Sequence, residues 1–531
     1  MKTLTALTLA VALLTQVPVC GQDKPAPGVS LHMAALQGNA EAVRQHIEAG
    51  SDPDAKDAFG STPLVIAATF GRTEVAKALI EAGADLHITN NTGATPLHIA
   101  AFLCRAGVVQ TLLDHGANRH LRDNYGNTPF DSVAGPFDDA GSTYDRLQQG
   151  LGPLGLRLDN EQLEAMRPRI AQMLRPRPED LKPVDYAPLV RDHWSVSTPA
   201  EQGLDPNLVA ELYLDAAALH KLYSVLIVRN GHLIAERYFN EASVEQQNRL
   251  CSVTKSYTSA LTGIALAQGH LSSLDQKMID FFPGIADRIT DPRKKEITIR
   301  HLLQMRAGYP WEETDPELWN GLLSGHYPRL VEAFPLLGDP GSQFNYSNLT
   351  SNWLGIILAR ATSTNLKSFA QEHLLSPIGA EAGEWGTDAD GHNNGCGNLH
   401  MTARDAARFG LLYLNGGIFE GRQVVPADWV EDSLRDYSED TWVTHDRLDH
   451  LGTYLRDLGY GYQWWSAQVG QHDIDYAAGH GGQLIILLRD LDMVIVATSY
   501  PFFLQHDSES WRHEKSTINL VGKFMHLLPA E

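Results

Sequence analysis

The chain has 531 residues, and 42 Lys and Arg against 64 Asp and Glu give it a formal net charge of −22. This length predicts two or three domains. The excess of negative charge would repel a phosphate backbone, so no nucleic-acid partner is expected. Hydrophobic residues make up 43% and charged residues 20%, the balance of a soluble globular protein.

The first residues predict export. Lys2 precedes an apolar run from Leu4 to Val19. With the small residue Gly21 after it, this order is typical of a secretory signal peptide over residues 1–21. The run is shorter than the roughly 20 apolar residues that cross a bilayer, so no permanent membrane span is expected. The mature chain is therefore predicted to be periplasmic or extracellular.

A Thr-Pro pair recurs every 33 residues, at Thr62, Thr95 and Thr128. A period of 33 residues is typical of an ankyrin array. Apolar residues within each unit fall on one helical face, which predicts two short helices per repeat. Gly83 and Gly116 are expected to end the second helix of their repeats in a left-handed conformation.

Two atypical units flank these repeats. The unit over 31–50 lacks the Thr-Pro start and is expected to be an N-terminal cap. After the third Thr-Pro pair the pattern is interrupted, and a helix from Glu161 to Leu174 is expected to be the displaced outer helix of the last repeat. Residues 29–176 are therefore assigned to ankyrin repeats with a C-terminal cap helix, and the proline-rich residues 177–190 to a linker.

The remaining residues, 191–531, have a different pattern. After a helix around 207–220, strands are predicted over 224–229 and 233–239, separated by Asn230-Gly231, a strong hairpin signal. The middle is helical and loop-rich. Two more strands, 483–488 and 493–499, precede a final helix over 516–528. This order predicts an α+β domain with an antiparallel sheet that joins its two ends.

Ser252-Val253-Thr254-Lys255 is a Ser-x-x-Lys motif before a predicted helical run over 259–268. Positions i and i+3 share a helix face, so the lysine amine can reach the serine hydroxyl. A hydroxyl needs a nearby base to act as a nucleophile, and a desolvated lysine can be that base. Alone, the motif equally fits a helix start with a solvated lysine.

Two further motifs follow along the chain. Pro340-Gly341-Ser342-Gln343-Phe344-Asn345-Tyr346-Ser347-Asn348 is a Gly- and Pro-rich loop that carries a Tyr and an Asn two residues apart. A phenol there could share a proton with Ser252 and Lys255. Gly479-His480-Gly481-Gly482-Gln483 precedes the last strand pair, and its glycines allow a substrate to lie against a strand edge. Taken separately, these stretches also fit a surface turn and a hairpin start.

Together and in this order, the three motifs resemble the serine β-lactamase and penicillin-binding-protein superfamily. The Tyr-x-Asn form of the middle motif is similar to that of class C β-lactamases, type VIII esterases and D-aminopeptidase-like hydrolases. The resemblance covers residues 190–531 almost continuously. It implies an exported serine hydrolase that forms an acyl-enzyme on Ser252 and acts on a small ester, amide or peptide without a cofactor.

The resemblance also assigns roles. Ser252 is the expected nucleophile, and Lys255 and Tyr346 the expected proton-transfer pair. Asn348 is an expected substrate or lysine contact. The substrate is further expected to contact His480, Gly482 and Gln483, and the backbone N–H groups of Ser252 and Gln483 would form the oxyanion hole.

The third motif departs from the β-lactamase pattern, because His480-Gly481-Gly482 replaces Lys-Thr-Gly. A fixed cation there resembles a clamp for the carboxylate of penicillins, whereas His is mostly neutral near pH 7. This substitution favours esterase, amidase or peptidase activity over β-lactamase or D-alanyl-peptidase activity, which stays an alternative. A second alternative is a non-catalytic protein that binds partners through its ankyrin repeats.

Cysteine and histidine spacing bear on two further points. Without Cys20, the mature chain keeps Cys104, Cys251 and Cys396, an odd number, so at least one thiol is expected to be free. The sequence leaves open whether Cys251 and Cys396 form a disulfide. No His-x-x-x-His or Cys-x-x-Cys spacing is present, so no metal site is predicted.

Overall fold

The computed structural model describes residues 28–135, 137–177, 181, 188, 193–323, 330–332, 334–438, 452–502 and 505–530. The predicted signal peptide and most of the predicted linker lie outside these residues. The chain divides into two compact units, residues 1–182 and 183–531. Among the described helices, none combines the length and the apolar character that a membrane crossing requires.

The first unit is helical, as the ankyrin pattern predicts. Its helices are α1 (Leu31–Gln37), α2 (Ala40–Glu48), α3 (Pro63–Phe70), α4 (Thr73–Glu81), α5 (Pro96–Phe102), α6 (Ala106–Asp114), α7 (Asp131–Ala134), α8 (Phe137–Leu151) and α9 (Asn160–Leu174). Within each repeat the two helices pack against each other, and each pair packs on the next. Helix α8 was not expected from the sequence, and α9 packs against α6 and α7.

The Thr-Pro pairs begin helices for a local reason. The side chain of Thr62 accepts a hydrogen bond from the Val65 amide, and that of Thr95 accepts one from the His98 amide. The following proline takes the first helical position, where no amide hydrogen is needed. Gly83 has φ +89°, the left-handed conformation that was expected after the second helix.

The second unit is built on a seven-stranded antiparallel sheet, whose strands are β1 (Leu222–Arg229), β2 (His232–Tyr238), β7 (Arg456–Tyr460), β8 (Trp465–Val469), β9 (His472–Gly479), β10 (Gln483–Leu488) and β11 (Met493–Ser499). Their order across the sheet is β2-β1-β11-β10-β9-β8-β7. Two short ladders pair β3 (Asn248–Arg249) with β4 (His400–Met401) and β5 (Ile418–Phe419) with β6 (Arg422–Gln423). Strand β1 lies between β2 and β11, so the sheet joins the two ends of this unit as predicted.

The second unit also contains helices, some of which pack on this sheet. They are α10 (Pro206–Ala217), α11 (Thr254–Ala267), α12 (Ile299–Leu303), α13 (Pro316–Leu323), α14 (Asn348–Thr362), α15 (Leu366–Ala370), α16 (Ala403–Leu414), α17 (Ala427–Leu434) and α18 (Ser508–His526). Helix α16 packs on β1, β10 and β11, while α10 and α18 pack on each other and on the same sheet. Every residue of β10 and β11 is buried, as expected for strands covered on both sides.

Several element bounds differ from the sequence expectations. The final helix begins at Ser508 instead of residue 516, because the Asp507 side chain accepts hydrogen bonds from the amides of Glu509 and Ser510 and caps it earlier. The helix after the Ser-x-x-Lys serine begins at Thr254 instead of residue 259. Strands β7, β8 and β9 extend the sheet beyond the four strands that were predicted.

Candidate active site

Ser252 lies in a single 3₁₀ turn, Cys251–Val253, that leads directly into α11. Cys251 has φ +48°, a left-handed conformation that is costly for a side-chain-bearing residue. The turn places Lys255 on the same side as Ser252, and the Lys255 Nζ atom donates a hydrogen bond to the Ser252 Oγ atom at 2.8 Å. The first motif therefore forms the contact that its spacing predicts.

Lys255 is buried, with 1% of its surface exposed. Its Nζ atom donates two further hydrogen bonds, to Asn348 Oδ1 at 2.8 Å and to the Cys396 carbonyl oxygen at 3.1 Å. Burial lowers the pKa of the Lys255 amine, against the opposing effect of nearby acidic groups such as Glu313. The amine can therefore lose its proton closer to neutral pH than an exposed lysine, as a base for Ser252 must.

Tyr346 contributes a phenol to the same hydroxyl. Burial raises the pKa of Tyr346 well above its usual value, although a hydrogen bond from Ser252 opposes that effect. Its ring stacks on Trp465 at 5.5 Å between centroids, and the Lys255 Nζ atom lies 4.8 Å from the Tyr346 ring centroid. The second motif thus contacts the first, and the side chains of Ser252, Lys255 and Tyr346 form one hydrogen-bonded group.

The loop that carries Tyr346 is held by a carboxylate that the sequence analysis missed. Glu312 is fully buried and accepts hydrogen bonds from Ser347 Oγ at 2.6 Å and from the amides of Asn348 at 2.9 Å and Leu349 at 3.1 Å. These amides begin α14, where a negative charge is favourable. Burial raises the pKa of Glu312. Glu312 stands outside any recognisable motif, so only the fold reveals it.

Asn348 connects the nucleophile region to a second missed carboxylate. Its Oδ1 atom accepts from Lys255, and its Nδ2 atom donates to Glu313 Oε1 at 2.9 Å. This pattern uses both ends of the amide and fixes its orientation. Asn348 therefore lies between the Lys255 amine and Glu313.

The third motif lies beside the nucleophile through its backbone. Gly479 and Gln483 are partners across β9 and β10. A Cβ atom on Gly479 would lie 3.1 Å from the Ser252 amide nitrogen, so glycine permits this close approach. The Gln483 side chain is buried and bonds the Ser499 backbone, donating to its carbonyl oxygen at 2.7 Å. Gly482 has φ +90° and packs against Thr517.

His480 has an acceptor close to each of its ring nitrogens. Its Nε2 atom lies 2.8 Å from the Gln505 carbonyl oxygen, and its Nδ1 atom lies 2.8 Å from the Glu514 carboxylate. Both neighbours are acceptors, which suits a doubly protonated ring. Burial opposes the charged form, but the hydrogen bond and the charge of Glu514 outweigh it and raise the pKa of His480. The expectation of a mostly neutral His480 did not include Glu514, which favours the protonated ring and has no sequence signal.

The cysteines on either side of the nucleophile are thiols. Cys251 and Cys396 are free, as is Cys104. The Cys251 Sγ atom faces the Pro501 carbonyl oxygen at 3.7 Å, and burial raises the pKa of the Cys251 thiol to about 12. The open question of a Cys251–Cys396 disulfide is therefore answered: none is formed.

Ser252 opens into a cleft of about 120 Å³. Its wall includes Asn348 and His480 of the predicted substrate contacts, together with Glu313, Trp319 and His506. Gly482 and Gln483 are absent from the part of the wall formed by described residues. Ser252, Asn348 and His480 thus line one cleft, and Lys255 and Tyr346 lie behind Ser252. Gly482 lies in the turn between β9 and β10, and the Gln483 side chain lies in the sheet.

Comparisons with known proteins cover both units. Residues 222–500 match the family model described as Beta-lactamase, and residues 31–123 match the model described as Ankyrin repeats (3 copies). The 6-aminohexanoate-dimer hydrolase of Paenarthrobacter ureafaciens is 24% identical over 312 residues, which are 56% of this chain and 76% of that protein.

Two fungal proteins are also similar. Monacolin J acid methylbutanoyltransferase of Aspergillus terreus is 29% identical over 157 residues, 26% of this chain and 37% of that protein. The unliganded structure of simvastatin synthase from Aspergillus terreus aligns with a TM-score of 0.48 and 16% identity over 61% of this chain and 99% of that chain.

Proposed function

The chain belongs to the beta-lactamase family, and from that premise we propose that it is a serine hydrolase that forms an acyl-enzyme on Ser252. The observation that carries this proposal is the hydrogen bond of 2.8 Å from Lys255 Nζ to Ser252 Oγ, with Tyr346 bonded to the same hydroxyl. The proposed substrates are small esters, amides or peptides, and a cleft of about 120 Å³ beside Ser252 suits a small substrate.

In the acylation step, Ser252 Oγ attacks the substrate carbonyl carbon, and its proton passes to the neutral Lys255 amine or through Tyr346. The backbone N–H groups of Ser252 and Gln483 stabilise the negative charge on the carbonyl oxygen. The bond to the leaving group then breaks, and the leaving group takes up the proton. Water then attacks the acyl-enzyme, giving its proton to Lys255 or Tyr346, which return a proton to Ser252 Oγ as the acid is released.

The third motif favours esters and amides over β-lactams. The Glu514 carboxylate lies 2.8 Å from one ring nitrogen of His480, and the other ring nitrogen lies close to a backbone carbonyl oxygen. A positive charge on His480 would therefore be neutralised by Glu514, which makes the ring a poor clamp for a substrate carboxylate. The similar proteins from Paenarthrobacter and Aspergillus are named for hydrolysis and for methylbutanoyl transfer, which supports acyl chemistry on this domain.

A hydrolysis panel of p-nitrophenyl esters, small amides, D-alanyl peptides and nitrocefin tests the proposal. We expect turnover of at least one ester or amide and its loss in Ser252→Ala. Ser256→Ala is the matched control, because Ser256 is a nearby serine on α11 whose hydroxyl donates to the Gln463 carbonyl oxygen at 2.7 Å. Turnover that persists in Ser252→Ala would contradict the proposal.

Export and protein binding complete the proposal. Lys2 and the apolar run over residues 4–19 support cleavage of a signal peptide and a periplasmic or extracellular location. The ankyrin repeats support recognition of a protein partner, which the fold does not name. N-terminal sequencing of the mature chain checks the first point, since an intact N-terminus would contradict it.

A further inference from the structure

Glu313 is a carboxylate that lines the wall of the cleft. Its side chain is 11% exposed. Its Oε1 atom accepts a hydrogen bond from Asn348 at 2.9 Å, and its Oε2 atom lies 3.8 Å from His506 Nδ1. Within the described part of the chain, no Lys or Arg forms an ion pair with it. A carboxylate in this setting needs either a protonated neighbour or a cation from outside.

His506 does not supply the balancing charge. Burial lowers the pKa of His506, against the opposing attraction of Glu313. A histidine with a lowered pKa is mostly neutral at pH 7. The contact of 3.8 Å with Glu313 is also too long for a hydrogen bond. His506 therefore gives Glu313 neither a hydrogen bond nor a balancing charge.

The other charged groups near the cleft are already engaged. His480 balances Glu514 at 2.8 Å. Arg249 donates to Asn398 Oδ1 at 2.9 Å, and the Glu384 carboxylate acts on it electrostatically. The Lys255 amine points to Ser252, Asn348 and Cys396, and Glu312 accepts from the start of α14. Each of these groups has a partner of its own, whereas Glu313 faces the cavity.

Aromatic rings stand beside this carboxylate. Trp319 lines the cleft and packs edge-on against His506 at 4.9 Å between centroids. His506 in turn lies 4.6 Å from His480 and 5.8 Å from Trp511. Aromatic faces attract cations, most strongly where water is excluded. A carboxylate bordered by aromatic rings suits an ammonium group better than a neutral or an anionic one.

We propose that Glu313 binds a protonated primary amine of the substrate, so that the preferred substrates are small esters or amides that carry an ammonium group. The inference rests on the proposed function, since it names the substrate class of the same site. The side chain of Asn348 bonds both Lys255 and Glu313. One amide side chain thus separates the catalytic amine from the ammonium site, which limits the substrate to a short one.

Protection of Ser252 from an uncharged alkyl fluorophosphonate tests this inference on the full chain. n-Butylammonium and n-butanol have the same size and differ in charge. We expect butylammonium to slow the labelling of Ser252 and butanol at equal concentration to leave it unaffected. Equal effects of the two compounds on the wild-type chain would overturn the inference without reference to any variant.

Two charge-removing variants locate the effect. Glu313→Gln keeps an acceptor for Asn348 but removes the charge, and we expect it to weaken protection by butylammonium about tenfold or more. Glu317→Gln removes the same charge from an exposed position on α13 and is expected to leave protection unchanged. Unchanged protection in Glu313→Gln would overturn the inference. The proposed function would still stand in that case, provided that Ser252 of the wild-type chain is labelled. Absence of any labelling would contradict the proposed function and the inference with it.

Discussion

The ankyrin unit and the hydrolase unit differ in the sequence range of their internal contacts. In the ankyrin unit, polar contacts repeat at the period of the array: Lys56 Nζ donates to the Thr89 carbonyl oxygen, and Asn124 Nδ2 to the Asn91 carbonyl oxygen, each 33 residues apart. In the hydrolase unit, Lys255 reaches Asn348 and Cys396, which are 93 and 141 residues away.

This difference teaches where each unit is vulnerable. An array of repeats is stabilised by neighbours, so a change in one repeat acts nearby. The catalytic cleft needs three distant segments to meet at one hydroxyl, so a change in any of them acts on the reaction. Four predictions, in order of decreasing effect, test this contrast.

Lys255→Met should have the largest effect and should be confined to the site. Methionine keeps most of the volume of the lysine but cannot accept the proton of Ser252. We expect fluorophosphonate labelling of Ser252 to slow by about 10³- to 10⁴-fold, near the upper range for a general base. Hydrogen exchange over residues 62–114 should be unchanged. A labelling rate within tenfold of wild type would contradict the role of Lys255.

Glu312→Ala should come second, and it should affect both folding and catalysis. The change leaves the buried amides of Asn348 and Leu349 without their acceptor. We expect the free energy of unfolding of the hydrolase unit to fall by about 3 kcal/mol, with slower labelling of Ser252. Urea denaturation followed by tryptophan fluorescence measures the first effect. Glu317→Ala, at an exposed position, is the control and should cost little.

The features that could be predicted from the sequence are those that depend on contacts between residues close together along the chain. The repeats were predictable because Thr62 and Thr95 act on amides three residues away. The hairpin between β1 and β2 was predictable because Asn230 and Gly231 adopt φ +50° and +73°, the left-handed values that this dipeptide favours. Local chemistry determines these features, so they are visible in the sequence.

The missed features depend on distant residues. Strand β7 ends at Tyr460 and β8 begins at Trp465, with Gln463 in a left-handed conformation between them. Tyr460 and Trp465 therefore belong to two different strands separated by a turn. Glu312, Glu313 and Glu514 act on segments far along the chain, and an isolated glutamate has no distinguishing pattern. The motif residues of the site could be named from the sequence, whereas the charges around them could not.

Gly93→Ala tests the local side of the comparison. Gly93 has φ +76°, and a Cβ atom there would lie 2.5 Å from Asn124 Oδ1 in the next repeat. We expect a loss of about 2 kcal/mol in the stability of the repeats, measured by hydrogen exchange. Gly83→Ala has the same backbone strain at φ +89° but open space around it, so it should cost about 1 kcal/mol. Slower labelling of Ser252 in either variant would contradict the expectation that a change in one repeat acts only nearby.

The ion pair of His480 and Glu514 should give the smallest effect. Because the folded-state pKa of His480 is raised above 6.5, the pair stabilises the hydrolase unit fully below about pH 6.5, and the stabilisation is lost as pH rises through the raised pKa. We expect the free energy of unfolding to fall over this pH range by less than the loss caused by Gly93→Ala. His480→Gln should remove this part of the pH dependence, and an identical pH profile in the variant would contradict it.

The central claim is that Ser252 is the acylated nucleophile, and covalent labelling tests it most directly. A fluorophosphonate should form a bond from Ser252 Oγ to phosphorus and release fluoride, while the proton passes to Lys255 or Tyr346. Mass spectrometry of the labelled peptide should place one adduct per chain on Ser252, with none in Ser252→Ala. An adduct on another residue, or no adduct on a folded chain, would contradict the account.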